Sequence, residues 1–283
     1  MQSGRATGAV RLAVYEWGHP DHFPILCVHG LTGTGRDFDF IAPHLVAAGY
    51  RVLAPDLPGR GCSDRTTADG YRYQHYLHDL RCVLRFIGAD TQGGCDWLGV
   101  SLGGLLGLHM AGMPQSPVRK LVLNDVGCGV NETDLDAIRR YLTMPHIYHD
   151  RETLKAIMIH NNKGPMRNAP MDDLHWEHRL DTRTVTLEDG QVTLAWDKAI
   201  APWFDREPIG DQDYWDLWAN TPQPTFVLRG EYSTILPVAL VAEMAKRKPG
   251  ATLDMVTFSD CGHVPPLFAP AQIQPVINWL TSH

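Results

Sequence analysis

The sequence predicts an α/β fold, in which helices cover a mostly parallel sheet and a further segment is inserted as a cap. Short apolar runs alternate with stretches of helical spacing through the first 126 residues, and the alternation resumes after residue 218. One apolar run ends in a serine that lies between two glycines, directly before a helical stretch. Continuous apolar runs are typical of parallel strands, because both faces of such a sheet are buried.

Strands and helices follow one another in order through the first part of the chain. Apolar runs predict strands at residues 10–17, 24–28, 50–54, 97–100 and 120–124. Apolar residues at helical spacing predict helices at residues 38–48 and 71–88, and from residue 105 onward. This order predicts parallel neighbours, since each helix returns the chain to the start of the next strand.

The rhythm breaks between residues 127 and 218. This segment is rich in His, Trp, Met and Asn, and an Asp189-Gly190 turn predicts a hairpin of residues 184–187 and 192–196. We expect its aromatic side chains to form the segment's own core or an apolar underside over the site. These aromatic residues are Trp176, Trp196, Trp203, Phe204, Trp215 and Trp218.

The alternation of strand and helix resumes in the last part of the chain. Strands are predicted at residues 225–228 and 252–258, and helices at residues 238–247 and 273–280. We therefore expect a core of residues 1–126 and 219–283 and a cap of residues 127–218.

Composition and charge indicate a partner that is a small molecule. The chain has 283 residues, 44% hydrophobic content and a net charge of −7, and its basic residues are scattered. We expect no nucleic-acid and no membrane partner, because these need clustered basic charge or a run of roughly 20 apolar residues. The first residues lack the apolar segment of a signal peptide, which predicts a cytoplasmic location. A monomer or small homo-oligomer is expected.

No cofactor and no metal are expected. The six cysteines lie far apart without a C-x-x-C pair, which favours reduced thiols over disulfides or zinc ligands. His175 and His178 have i, i+3 spacing, but no further ligands cluster with them. The glycines at positions 30, 33 and 35 match neither phosphate-binding motif.

Residues 99–103, Gly-Val-Ser-Leu-Gly, predict an exposed nucleophile. A turn from strand into helix holds Ser101 in a strained conformation, and the flanking glycines avoid collisions with the neighbouring strand and helix. A serine hydroxyl is a poor nucleophile until a base removes its proton. The site therefore needs a histidine and a carboxylate as well.

His263 is the best placed of the 14 histidines, because it directly follows the last predicted strand. Loops at the carboxyl ends of parallel strands meet at one edge of a sheet, so Ser101 and His263 can meet. The loop after the strand of residues 24–28 predicts an oxyanion site, with the backbone N–H groups of Leu31 and Leu102 as donors. His29 is expected to support this loop rather than to act as a base.

These residues, together with residues 56–64 (Asp-Leu-Pro-Gly-Arg-Gly-Cys-Ser-Asp), resemble the α/β-hydrolase superfamily along nearly the whole chain. The resemblance implies an eight-stranded sheet, a helical cap after the sixth strand, and the order nucleophile, acid, histidine along the chain. It also implies that Ser101 is the nucleophile, His263 the base, and Leu31 and Leu102 the oxyanion donors.

The acid departs from the family pattern. Members of the superfamily usually carry it after the seventh strand, where Ser233 and Thr234 stand in this chain and neither can bear a negative charge. Asp125 is our first choice, because some members take the acid from the end of the sixth strand. Glu231 is the alternative acid, since its longer side chain could reach from nearly the usual place, and Asp260 is the third candidate.

The resemblance implies a serine hydrolase that acts on a small carboxylic ester or related acyl substrate through an acyl-enzyme. A serine in the turn argues against the dehalogenases and epoxide hydrolases of the superfamily, which place an aspartate there. Hydrolysis of lactones or of carbon–carbon bonds in vinylogous diketones, and perhydrolysis without a cofactor, use the same triad and stay open. The displaced acid leaves open another class of protein, a ligand-binding receptor that turns over slowly or not at all.

Overall fold

Helices and strands alternate along most of the chain in a computed structural model, which describes residues 1–5, 8–89, 93–202, 212–250 and 252–282. The strands are β1 (Gln2–Arg5), β2 (Gly8–Arg11), β3 (Val14–Trp17), β4 (Phe23–Val28), β5 (Tyr50–Pro55), β6 (Cys95–Val100), β7 (Val118–Asn124), β8 (Gly129–Val130), β9 (Ile147–Tyr148), β10 (Thr184–Thr186), β11 (Val192–Leu194), β12 (Gln212–Asp213), β13 (Thr225–Gly230) and β14 (Leu253–Phe258). The α-helices in the described ranges are α1 (Ala42–Ala47), α2 (Tyr73–Phe86), α3 (Leu102–Ala111), α4 (Glu132–Thr143), α5 (Arg151–Asn161), α6 (Asp173–Arg183), α7 (Trp215–Ala219), α8 (Val238–Lys246) and α9 (Pro270–Ser282).

The main sheet has the strand order β14-β13-β7-β6-β4-β5-β3, and all neighbours are parallel except β3 and β5. The central strands are buried on both faces, as the four residues from Ile25 to Val28 illustrate with no exposed surface. That burial explains their continuous apolar sequence. The predicted fold class, a mostly parallel sheet flanked by helices, is confirmed.

The number of strands differs from the eight that the resemblance implies, because the main sheet has seven strands in the described residues. The first predicted strand, residues 10–17, is divided: only β3 joins the sheet, while β2 pairs with β1 in a separate antiparallel hairpin. Arg5 and Ser3 of β1 both contact the buried carboxylate of Asp79 in α2. These contacts hold the hairpin against α2 instead of at the edge of the sheet.

The helix predicted at residues 38–48 is also divided. Residues Gly35–Phe38 form a 3₁₀ turn, and α1 begins at Ala42 with Pro43 in its first turn. Proline fits the first turn of a helix, where its missing N–H has no partner to lose, but not a helix interior. Helix α2 instead follows its prediction closely and buries one face, which includes Tyr76, Leu80 and Val83.

After β7 the chain leaves the sheet and returns to it at β13, and the intervening elements form the cap. The predicted hairpin is present as β10 and β11, which pair in antiparallel register. Strand β9 pairs with β11 as the third strand of this small sheet. Leu154, Leu180 and Val192 form a small apolar cluster inside this segment. Trp203 and Phe204 lie outside the described residues, and the domain boundaries at residues 126 and 218 stay predictions.

Within the described ranges, no helix is both long enough and apolar enough to cross a membrane.

Candidate active site

Ser101 lies where β6 ends and α3 begins, in a backbone conformation that few residues adopt. Its φ of 48° and ψ of −113° lie outside the regions favoured by non-glycine residues. A Cβ at Gly99 would collide with the backbone of Gly103, and one at Gly103 would collide with the carbonyl of Val28. The two glycines therefore let the turn pass tightly between the sheet and the helix, and Ser101 is held at the strand end.

A chain of two hydrogen bonds joins Ser101 to His263 and Asp125. The Ser101 Oγ lies 3.0 Å from His263 Nε2, and His263 Nδ1 lies 2.7 Å from Asp125 Oδ2. A carboxylate only accepts hydrogen bonds, so Nδ1 carries the proton and Nε2 is free to accept from the serine. The three side chains come from loops after β6, β14 and β7, which end at one edge of the sheet.

Asp125 is held in place by hydrogen bonds to the neighbouring strand. Its side chain is fully buried, and its second oxygen, Oδ1, accepts a hydrogen bond of 2.9 Å from the N–H of Gly230. Its own N–H donates to the carbonyl of Leu228 at 2.8 Å, and its φ is 56°. Both contacts are with β13, so the neighbouring strand fixes the carboxylate that faces His263.

The structure does not bring Glu231 or Asp260 to His263. Glu231 is exposed, and its carbonyl accepts a hydrogen bond from Arg229. Asp260 has a side chain that is 69% exposed, and it lies 3.7 Å from a guanidinium nitrogen of Arg167. Both carboxylates therefore lie outside the hydrogen-bonded chain that begins at Ser101.

The loop of residues 29–33 lies against the serine. A Cβ at Gly30 would lie 3.6 Å from Cβ of Ser101, an ordinary contact distance. Leu102 is the first residue of α3, so its N–H has no acceptor within the helix and lies at the positive end of the helix dipole. Arg60 holds Leu31 in place, because the Leu31 carbonyl accepts a hydrogen bond of 2.8 Å from Arg60 Nε.

His29 supports this loop as a neutral side chain. Its Nε2 accepts a hydrogen bond of 2.9 Å from the N–H of Leu57, and its Nδ1 lies 2.7 Å from the carbonyl of Gly30. Complete burial lowers the pKa of His29 to about 4, because the charged ring would be removed from water. His29 therefore fastens the loop to the end of β5.

Residues of the cap bind the backbone N–H groups of Gly262 and His263. The sequence did not indicate this contact. The N–H groups of Gly262 and His263 donate to the carbonyls of Arg167 and Pro165 at 2.6 and 2.7 Å. A Cβ at Gly262 would collide with that carbonyl of Pro165. Backbone carbonyls belong to every residue type, so no feature of residues 164–169 distinguishes them in the sequence.

No group of three or more His, Cys, Asp or Glu side chains in the described part of the chain is arranged to hold a metal ion.

Comparisons with known proteins identify the family of this chain. The alpha/beta hydrolase family matches residues 25–273. A 3-hydroxybutyrate-oligomer hydrolase from Cupriavidus necator is 35% identical over 277 residues, which cover 94% of this chain and 91% of that protein. A pimeloyl-[acyl-carrier protein] methyl ester esterase from Aromatoleum aromaticum is 26% identical and covers 87% of this chain and 93% of its own.

Among solved structures, an alpha/beta hydrolase from Novosphingobium aromaticivorans is 30% identical to this chain. The match covers 100% of this chain and 97% of the other, with a TM-score of 0.83. The family match spans most of the sequence, and the relatives resemble it nearly from end to end. The chain therefore belongs to the α/β hydrolase family and has a hydrolase function.

Proposed function

We propose that this protein hydrolyses a carboxylic ester through an acyl-enzyme on Ser101, with His263 as the general base and Asp125 as the triad acid. The observation that carries the proposal is the hydrogen-bonded chain from the Ser101 hydroxyl through the His263 ring to the buried Asp125 carboxylate. A nucleophile, a base and a group that orients the base are the parts that acyl transfer needs.

In the first half of the reaction, Ser101 Oγ attacks the ester carbonyl carbon while His263 Nε2 takes the hydroxyl proton. The carbonyl oxygen becomes negative and accepts hydrogen bonds from the N–H groups of Leu31 and Leu102. His263 then gives its proton to the oxygen of the leaving alcohol as the carbon–oxygen bond breaks. Asp125 stabilises the imidazolium that exists between these two proton transfers.

In the second half, water attacks the acyl-enzyme carbonyl and gives its proton to His263. The tetrahedral intermediate collapses, the acid product leaves, and the proton returns to Ser101 Oγ. This cycle consumes one water for each ester and needs no cofactor.

Short oligoesters of a hydroxy acid are the first substrates to test. The relative from Cupriavidus necator, which is named for hydrolysis of 3-hydroxybutyrate oligomers, aligns with 94% of this chain. Each such oligomer contains secondary alkyl esters that the steps above would cleave. We therefore propose an oligoester of a small hydroxy acid as the substrate class.

A fluorophosphonate probe tests whether Ser101 is the nucleophile. We expect the probe to label the unchanged chain and not Ser101→Ala, and His263→Ala to slow labelling by about 10³-fold or more. Ser233→Ala is the matched control, since Ser233 stands at the usual position of the acid and its hydroxyl accepts only a backbone N–H in the described residues. An unlabelled chain would favour the receptor alternative.

The substrate class is tested by comparing turnover of several compounds by one preparation. The set contains the 3-hydroxybutyrate dimer and trimer, p-nitrophenyl esters of varied chain length, lactones and a vinylogous 1,5-diketone. We expect the highest kcat/KM for the oligoesters. A higher value for the lactones or for the diketone would replace the ester proposal by lactonase or carbon–carbon bond hydrolysis.

A further inference from the structure

Arg60 is a buried cation whose contacts are all neutral. Arg60 is 1% exposed, and its guanidinium donates hydrogen bonds to the carbonyls of Leu31 and Pro58 and to the hydroxyl of Tyr76. No carboxylate of the described residues lies within ion-pair distance of it. A charged group removed from water is costly unless an opposite charge compensates it. The guanidinium lies over the rings of Tyr71 and Tyr76, 5.7 and 5.2 Å from their centroids, but among the described residues it lacks a negatively charged partner.

One nitrogen of this guanidinium is left without an acceptor. Nε donates to Leu31 at 2.8 Å and Nη1 to Pro58 at 2.7 Å, while the buried Nη2 has no hydrogen-bond partner among the described residues. Nε and Nη2 carry N–H bonds that point from the same edge of the planar group. Because Nε faces Leu31, Nη2 is also presented towards the loop that lies against Ser101.

A second unpartnered donor lies opposite Arg60 on the cap. Arg60 and Trp196 form an antiparallel bridge, and the N–H of Asp197 donates to the carbonyl of Gly59 at 2.8 Å. Residues directly opposite each other in an antiparallel pair project to the same face. The indole Nε1 of Trp196 is buried and has no acceptor in the described residues. Core and cap therefore each contribute a free donor to one side of the bridge.

We propose that Arg60 and Trp196 form a subsite that binds a carboxylate of the substrate. A carboxylate supplies the missing negative charge, and its two oxygens match a guanidinium nitrogen and an indole N–H, whereas a neutral oxygen supplies no charge. This inference rests on the proposed function and names the chemistry of its substrate, an ester that also carries a free carboxylate. An oligomer of a hydroxy acid has one such group at its end.

The position of the subsite assigns the carboxylate to a particular part of the substrate. Arg60 contacts Leu31, and the preceding residue, Gly30, lies against Ser101. A carboxylate on Arg60 therefore belongs to the unit next to the ester under attack. Short oligomers, in which that unit is also the terminal one, satisfy both contacts at once.

Calorimetric titration of the Ser101→Ala chain tests the subsite without turnover. We expect the 3-hydroxybutyrate dimer, as the free acid, to bind at least about 10-fold more tightly than its methyl ester, since hydrogen bonds to charged groups are worth more than neutral ones. Equal affinities, or no binding of the acid at millimolar concentration, would overturn the proposal. Failure of the proposed function shows separately, as an unchanged chain that hydrolyses no ester.

Two further variants, each made in the Ser101→Ala chain, assign the preference to its residues. Arg60→Met should remove the preference for the free acid over the methyl ester. Trp196→Phe, which removes the pyrrole ring of the indole with its N–H, should reduce that preference about threefold. Trp218→Phe is the matched control, because the Nε1 of this buried tryptophan already donates to the carbonyl of Met244 at 2.9 Å. A preference unchanged in Trp196→Phe, or equally reduced in Trp218→Phe, would contradict the assignment even if Arg60→Met does not fold.

Discussion

The core and the cap contribute to the site through different parts of their residues. The core supplies the side chains of Ser101, Asp125 and His263 from the loops after β6, β7 and β14, which lie at one edge of the sheet. Next to His263, the cap contributes the backbone carbonyls of Pro165 and Arg167, which accept hydrogen bonds from the histidine loop. In the proposed mechanism the core thus provides the reacting groups, whereas the cap binds the backbone beside one of them. Substitutions on the two sides should differ accordingly in size and in kind.

The largest expected effect concerns the core, where Asp125 and Glu231 are the two candidates for the triad acid. Asp125→Asn should lower kcat by about 10³- to 10⁴-fold, because an amide neither stabilises the imidazolium nor selects the productive tautomer. Glu231→Gln should change kcat less than about twofold, since the exposed side chain lies outside the hydrogen-bonded chain. Steady-state hydrolysis of p-nitrophenyl butyrate measures both. Comparable losses in the two variants would contradict the proposed role of Asp125.

The site could be predicted from the sequence where a residue's type and its place after a strand carry the information. Ser101 follows an apolar run and His263 follows the last strand, and the edge where parallel strands end brings them together. The choice between Asp125 and Glu231 stayed open because both follow strands. What separates them is the orientation of the Asp125 carboxylate, which β13 fixes through the N–H of Gly230.

The features that the sequence did not reveal depend on contacts between distant residues. Within the described residues the main sheet has seven strands, and β1, which pairs with β2 outside that sheet, is tied to α2 by Arg5 and Asp79, 74 residues apart. The acceptors that the cap offers to the N–H groups of Gly262 and His263 are carbonyls, which no residue type distinguishes. That Nη2 of Arg60 has no hydrogen-bond partner among the described residues becomes visible only once the surrounding atoms are placed.

The next largest effect is expected where the cap contacts the histidine loop. Gly262→Ala introduces a methyl group against the carbonyl of Pro165, so the cap segment or the histidine loop must shift. We expect kcat to fall by about 10²-fold, because a displacement of about 1 Å at a catalytic group has effects of that size. Gly4→Ala is the control, since no atom of the described residues lies within 4 Å of a Cβ at that position. Unchanged kcat in Gly262→Ala would show that the cap does not position the base.

In the core, the contribution of His29 to the stability of the fold should depend on pH. His29 has a folded pKa of about 4, below its unfolded value of about 6.5, so the unfolded chain binds more protons between these two values. The stabilising contribution is complete above pH 6.5 and is lost as the pH falls towards 4. By pH 5 the free energy of unfolding should have dropped by about 2 kcal/mol.

Urea unfolding at pH 7 and at pH 5 measures this loss. His29→Gln should be less stable at pH 7 and should lose about 2 kcal/mol less than the unchanged chain when the pH is lowered. His44→Gln serves as the control, because His44 is exposed on α1. An equal pH dependence in the unchanged chain and His29→Gln would mean that His29 is not held neutral by the fold.

The smallest expected effect separates positioning by the cap from mere stabilisation. Gln272 in α9 is 3% exposed, donates to the cap carbonyl of Ala169 at 2.6 Å and to Cys261 Sγ at 3.0 Å, and accepts from the N–H of Leu267 at 3.0 Å. Gln272→Met keeps the length of the side chain and removes all three hydrogen bonds. We expect kcat to fall about 5-fold, which corresponds to about 1 kcal/mol, because only part of this loss acts on the position of His263. Gln274→Met, on the same helix but exposed, should leave kcat unchanged. If Gln272→Met lowers Tm while kcat stays constant, then the cap near Ala169 stabilises the fold without positioning His263, and the division of roles between core and cap is confined to Pro165 and Arg167.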